Sequence, residues 1–373
     1  MTGLVESEEA RGFLMELALV KCMLLALIVW LQIHKSKSCL EEERLALLGI
    51  KDSLKSTGSN GDHLLSSWID QPNNDCCKWE RVICNSITDR VIRLSLNKTT
   101  QNVRRANTLF LNVSLLRHFE KLTHLDLSSN KFGGWIENEE VPNLQGNYLG
   151  GSLSTLDFTA FKSLEVLDLS GNGISGIIPN YVWAPTSLKA LSLSGNSFHG
   201  SLQIQSFCGM ERLEELDLSS AGFSGGIPSC LGNFTSLKML NLSINQLYGE
   251  IPNNLSKLET LDLSHNNLSG EIPELPLNQS QIQSLNLSHN QLTGSIPKSF
   301  LNLSKMESLD LSYNDLSGRL PLELIDLKFL KVFTVAHNNL SGKIPEQFNK
   351  FNRYSYEGNP LLSGPYSEKN SRD

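Results

Sequence analysis

At 373 residues the chain has room for two average domains or for one elongated one. A charged fraction of 19% and a mean hydropathy of −0.17 exclude both a disordered chain and a polytopic membrane protein. Lys and Arg total 32 against 39 Asp and Glu, a net charge of −7 that offers nucleic acid no basic face.

Lys21 precedes an apolar stretch from Cys22 to Ile33, and Ser36-Lys37-Ser38 supplies a small-x-small site before Cys39. Residues 1–38 therefore read as a signal peptide. The stretch suits a signal core, because a membrane span needs about 20 residues. The rival is an uncleaved anchor from Phe13 to Ile33, which Glu16 and Lys21 interrupt. The acidic start at Glu6, Glu8 and Glu9 suits translation from Met15 instead. No second stretch of spanning length follows, so the chain as written is expected to be secreted.

Removing Cys22 with that segment leaves Cys39, Cys76, Cys77, Cys84, Cys208 and Cys230. An even number suits an oxidising compartment. A zinc site fails, because Cys76 and Cys77 are adjacent and no His flanks them at ligand spacing. The first four cysteines allow three connectivities. Cys208 and Cys230 flank the unit that opens at Leu213, and are expected to pair across it.

Cys39-Leu-Glu-Glu-Glu-Arg-Leu45-Ala-Leu-Leu48 opens an amphipathic helix running to about Lys55. Trp68, Cys76-Cys77-Lys-Trp79 and Cys84 then lead to a first strand near Val91, making residues 39–90 a cap. Beyond it the frame LxxLxLxxNxLxGxIP recurs, as from Leu258 to Pro273. Its opening residue falls at Leu164, Leu188, Leu213, Leu237, Leu258, Ile282, Met306 and Leu330, in steps of 24, 25, 24, 21, 24, 24 and 24. Residues 91–350 hold about ten or eleven units, irregular over 97–160, where Glu137 to Leu149 reads as a repeat that has lost its strand.

The LxL triplet alternates as a short strand does, leucines inward and the residue between them outward. An Asn (172, 196, 245, 266, 290, 314 and 338) can cap backbone groups in the turn that follows; Ala221 replaces it once. One unit cannot bury its own leucines, so neighbours must stack into a solenoid with a parallel sheet on one face. Pro is tolerated where each coil bends away. An amphipathic cap is needed over the first coil.

These residues resemble the plant-type extracellular leucine-rich repeat, LxxLxLxxNxLSGxIPxxLGxL, over residues 39 to about 362. The resemblance implies an α/β solenoid: a right-handed superhelix, a parallel β-sheet on its concave face, and a disulfide-stapled N-terminal cap. The cap is similar to those of plant receptor-like proteins and polygalacturonase inhibitors, which implies Cys39–Cys76 and Cys77–Cys84. Phe333 to Pro345 and Tyr354 to Leu362 resemble the last repeat and closing cap of receptor-like proteins. Residues 351–373 then form a cap remnant and tail, with Ser363 where that family has Cys. The family continues into an acidic spacer and a membrane anchor, and usually carries more repeats and an irregular island. This sequence resembles a shortened member.

No phosphate loop, HExxH or kinase motif occurs, so neither an enzyme nor a resident cofactor or metal is expected. Sequons stand at Asn97, Asn112, Asn233, Asn241, Asn254, Asn267, Asn278, Asn286, Asn302 and Asn339. The column after each opening residue reads Glu165, Lys189, Glu214, Lys238, Glu259, Gln283, Glu307, Lys331, which nearly neutralises itself. The column between the strand leucines reads Asp168, Ser192, Asp217, Asn241, Asp262, Asn286, Asp310, Thr334, acidic wherever it is charged. Asp168, Lys189, Glu215 and Asp217 are the candidate ligand face for a basic or amide-rich partner. His265, His289, Tyr313 and His337 form a further row, too linear for a metal site. The resemblance implies Tyr313 and His337 as a face for a partner kinase.

The function implied is extracellular recognition of a peptide, protein or glycan, with signalling through partner receptor kinases. An inhibitor of pathogen wall-degrading enzymes is the alternative. The site is apoplastic as written, or the cell membrane if the gene product carries the family's anchor.

Overall fold

The computed structural model describes residues 38–55, 65–71, 74–99, 109–130, 132–136, 153, 161–183, 187–202, 208–253, 255, 257–274 and 281–364, with Val20, Lys21, Met23 and Leu24 upstream. The signal-peptide assignment otherwise lies outside these residues, as do the strand-less repeat at 137–149 and the tail beyond 364.

Among the described residues eleven short strands form one sheet in chain order. They are β1 Val82–Cys84, β2 Val91–Ser95, β3 His124–Asp126, β4 Val166–Asp168, β5 Ala190–Ser192, β6 Glu215–Asp217, β7 Met239–Asn241, β8 Thr260–Asp262, β9 Ser284–Asn286, β10 Ser308–Asp310 and β11 Val332–Thr334. From β2 onward every pairing is parallel and the strand-centre Leu stays in register, Leu94 through Leu309 to Phe333. The connections coil right-handed, the sense a parallel crossover takes. Opening and strand leucines line one continuous core, with Leu164, Leu213, Leu261 and Leu309 all buried.

The Asn ladder locks coil to coil. Asn314 Nδ2 donates to the carbonyls of Leu287, Leu311 and Ser312, and its Oδ1 accepts from Leu292 N–H. Asn359 repeats this on Val335, Tyr356 and Glu357 while accepting from Leu340, so the closing segment is one more coil. At Ala221 no such side chain reaches back to Leu193, and Phe198 stacks on Phe223 at 5.8 Å across that joint.

A second set of parallel pairings follows the ladder, which the sequence did not announce. Ser224–Gly225, Gln246–Gly249, Asn267–Glu271 and Gln291–Thr293 pair in series, and Ser317–Gly318 pairs with Asn339–Lys343, which pairs in turn with Leu361–Ser363. Pro179, Pro228, Pro297, Pro321 and Pro345 then each precede a 3-10 turn on the convex side, as at Pro297 before Lys298–Asn302. Repeat connections are thus 3-10 turns, and the cap holds the long helix, α1, Glu41–Lys55.

Two disulfides staple that cap, Cys39–Cys76 and Cys77–Cys84. Glu43 is fully buried and accepts from Arg90 Nε at 2.9 Å and Val91 N–H at 3.2 Å. Lys51 Nζ is buried too, donating to the carbonyls of Leu65 and Trp68 at 2.7 and 2.6 Å. Both charges are therefore satisfied. Trp68 stacks on Trp79 at 5.7 Å and closes the end of the core.

Candidate functional site

The concave face carries the outward residues of β4 to β11. Asp168, Ser192 and Asp217 are register neighbours on β4, β5 and β6, which places the two carboxylates about 9–10 Å apart. Glu215 stands two residues before Asp217 on the same face and is exposed. Lys189 is drawn sideways into an ion pair with Glu165 at 3.0 Å. The four candidate ligand residues therefore cluster, with the one base among them engaged by a neighbouring acid.

The acidic column also has a structural duty. Asp168 Oδ1 accepts from Ser170 N–H at 2.9 Å, and Asp217 Oδ1 from Ser219 N–H at 3.0 Å. Asn241 and Asn286 do the same for Ser243 and Ser288. Each side chain thus seals the turn that ends its strand with one oxygen; Asp168 and Asp217 each carry a second oxygen, where Asn241 and Asn286 carry an amide nitrogen.

The neighbouring charged column pairs as its signs require. Lys238 reaches Glu214 at 2.6 Å and Lys331 reaches Glu307 at 2.7 Å. The hydrogen bond from Lys238 holds the Glu214 carboxyl below its ordinary range, and Glu214 in turn raises Lys238. Both groups are solvent-exposed, so the pairs add little to stability.

Tyr313 and His337 stack at 4.2 Å. They belong to a longer stack, in which His265 lies 4.0 Å from His289 and His289 lies 4.1 Å from Tyr313. Each of the four sits at φ of 53–55°, which turns the ring along the row. The sequence showed the row of rings but not the stacking, which depends on that repeated left-handed backbone. Parallel ring planes at this spacing cannot aim two nitrogen lone pairs at one ion. Among the described residues no cluster of three His, Cys, Asp or Glu could hold a metal. Asp168 on β4 and Tyr313 just after β10 lie six strands apart, about 29 Å along the sheet.

Cys208 and Cys230 are bonded, their Cα atoms 5.8 Å apart. Asn254 and Asn278 lie outside the described residues, as does the side chain of Asn233. Asn267 and Asn339 are exposed at the start of second-sheet strands, while Asn97, Asn112, Asn241, Asn286 and Asn302 are half-buried. Among the described residues no helix is long and apolar enough to cross a membrane.

Residues 40–85 match the family described as leucine rich repeat N-terminal domain. Residues 120–134, 163–184, 212–234, 236–258, 256–316 and 329–351 match leucine rich repeat families, and together these matches cover more than half of the chain. The chain belongs to the leucine-rich-repeat family. Receptor-like protein 15 of Arabidopsis thaliana is 36% identical over 162 residues, which are 43% of this leucine-rich-repeat chain and 15% of that protein. Receptor-like protein 14 of the same plant is 34% identical over 170 residues, 44% of this chain and 16% of that one. The matched stretch is thus a small part of each relative. Among solved structures, a plant ice-binding protein superposes with a TM-score of 0.70 at 28% identity, covering 87% of this chain and 96% of that one. The complex PEPR1-AtPEP1 gives 0.64 at 27%, over 87% of this chain and 45% of that one. The ectodomain of the Arabidopsis thaliana receptor kinase GASSHO1/SCHENGEN3, in complex with CASPARIAN STRIP INTEGRITY FACTOR 2, gives 0.59 at 35%, over 69% and 30%.

Proposed function

We propose that this chain is the extracellular recognition module of a plant receptor-like protein, and that it binds a basic peptide or protein segment in its concave groove. The observation that carries this reading is the cluster of Asp168, Glu215 and Asp217, beside which Lys189 is paired with Glu165 and Lys238 with Glu214. Carboxylates grouped without a counter-charge steer cations, and a groove deepens that field. Similarity to ectodomains solved with peptides supports the class of ligand. A kinase partner docking near Tyr313 and His337 would carry the signal onward, since the chain brings no catalytic motif of its own. Two of the sequons, Asn241 and Asn286, lie on the same face, so contact is assigned to the stretch from Leu164 to Leu237.

The test is charge removal. Asp168→Asn with Asp217→Asn keeps the oxygen that seals each turn, as Asn241 and Asn286 do, and should weaken binding of a basic peptide by about ten-fold, with secretion and thermal unfolding unchanged. Both proteins are made without N-glycosylation, because each substitution writes an Asn-Leu-Ser sequon. Unchanged binding sinks the groove assignment. Capture of a fungal polygalacturonase with no basic-peptide binding would move the assignment to the inhibitor alternative.

A further inference from the structure

The flank formed by the second set of strands carries a charge pattern that the concave face does not share. The residue five places after each ladder Asn reads Glu250, Glu271, Ser295, Arg319 and Lys343 over five successive coils, all exposed. Its signs are segregated: two acids, a neutral centre, two bases. The concave column instead alternates and pairs within the chain, as Lys238 does with Glu214. Among the described residues no ion pair or hydrogen bond engages any of the four flank charges. Glu271 stands opposite Thr293, and Ser317 opposite Asn339, a stagger that sets successive members of the column about 8 Å apart. Glu250 therefore adjoins Glu271, and Arg319 adjoins Lys343. Like charges side by side on a sheet cost stability, and opposite charge arriving from outside the chain relieves that cost.

We propose that this flank is a self-association surface, on which a second copy of the chain docks with its coil order reversed about Ser295. The two-fold axis runs parallel to the strands, so Glu250 faces the partner's Lys343 and Glu271 faces the partner's Arg319, each contact made twice. Docking in the same coil order would set acid on acid and base on base, so the charges select one orientation. The surface is not the groove, and it stands whatever the groove binds.

Shape supports the same pairing. Beside the acidic end, where the coil opening at Leu237 runs for 21 residues, lies a hollow of about 700 Å³. Ile227, Ile251, Pro252 and Pro273 line it together with Glu250 and Glu271. The methylene stems of the partner's Arg319 and Lys343 can lie on these apolar walls while their charged heads meet the carboxylates. Between the two ends the neighbouring column is small and polar, with Ser269, Thr293, Ser317 and Ser341. The coil turns at Pro297, which takes Lys298 off the face near the axis. Asn267 and Asn339 stand four residues before Glu271 and Lys343, about 13 Å along the strand, so contact is assigned to the side away from these sequons. Four steps of about 8 Å give a face that covers about 400 Å² per copy, the size of a transient contact.

The experiment is sedimentation velocity on the chain purified from plant cells, at up to about 500 µM protein in about 50 mM and about 500 mM NaCl. Wild type should dimerise with a dissociation constant of the order of 10–100 µM at low salt, and at least about five-fold more weakly at high salt. Glu250→Lys with Glu271→Lys should be monomeric, and so should Arg319→Glu with Lys343→Glu. An equimolar mixture of the two double variants should restore dimers, which misfolded variants could not do. A monomeric wild type, variants that dimerise as wild type does, or a mixture that stays monomeric would each overturn the proposal. Enzymatic removal of the N-glycans should leave the dimer in place; a dimer that forms only after removal would overturn it too.

Discussion

Gly358 lies against the imidazole of His337: a methyl carbon built on its Cα would sit 2.4 Å from Nδ1. It holds the ring-row position in the closing coil and ends the stack by having no side chain. Its φ of +68° is a second reason for glycine. Gly358→Ala should destabilise the closing coil by about 1–3 kcal/mol. Urea unfolding would read the loss, and hydrogen exchange should localise it to the amides bonded around Asn359. An unchanged midpoint would show that the His337 ring swings aside at no cost.

Asn314→Ala tests the ladder. The substitution takes one donor from each of three carbonyls and leaves the Leu292 N–H without its acceptor in the core, and a buried polar group left unpaired costs about 1–3 kcal/mol. The expected loss is at least about 2 kcal/mol, since the carbonyls keep other partners and the N–H does not. A loss below about 0.5 kcal/mol would mean that water enters and replaces the side chain.

Much of this was legible because a solenoid repeats one local problem. The step from Leu164 to Leu330 placed the strands, the buried leucines and the ladder from Asn172 to Asn338, and the amphipathic run from Cys39 to Leu48 located the cap helix. The second sheet was not legible: Ser224–Gly225 and Ser317–Gly318 are two residues long and contain Gly, so no alternation marks them as strands. Asn359 was hidden for another reason. It sits 21 residues after Asn338 and before Pro360, without an LxL triplet ahead of it. The paired oxygens of Asp168 and Asp217 were half visible, since a sequence shows the acid but not the turn that one oxygen seals.

Stability should fall on mild acidification. His124 is held below its ordinary range by burial, then by Arg93, and His289 by burial, then by His265. A depressed folded pKa means that the unfolded chain binds the proton first, so stability declines as pH drops through about 6.5 toward the folded values. Above that window these two groups contribute no slope. The urea midpoint should therefore be lower at pH 5 than at pH 7.5, and His289→Tyr should flatten part of the difference. A variant with the wild-type slope would show that burial of His289 is relieved by rearrangement.

Cys208→Ser with Cys230→Ser opens a bridge spanning 22 residues, worth about 3 kcal/mol if it acts by restricting the unfolded chain. Chemical denaturation of the secreted double variant checks it. A change under about 1 kcal/mol would indicate that the coil at Leu213 is held by its apolar contacts alone.

Ala221 has a consequence for the molecule as a whole. In an array where each coil touches only its neighbours, cooperativity passes through every joint in turn. The joint between Leu193 and Ala221 has no Asn crossing it, and is held by the β5–β6 ladder, the Phe198–Phe223 stack and the Cys208–Cys230 bridge. That bridge acts as a fuse. Once it is reduced, this joint, which the β5–β6 ladder and the ring stack still hold, should be the first in the array to part.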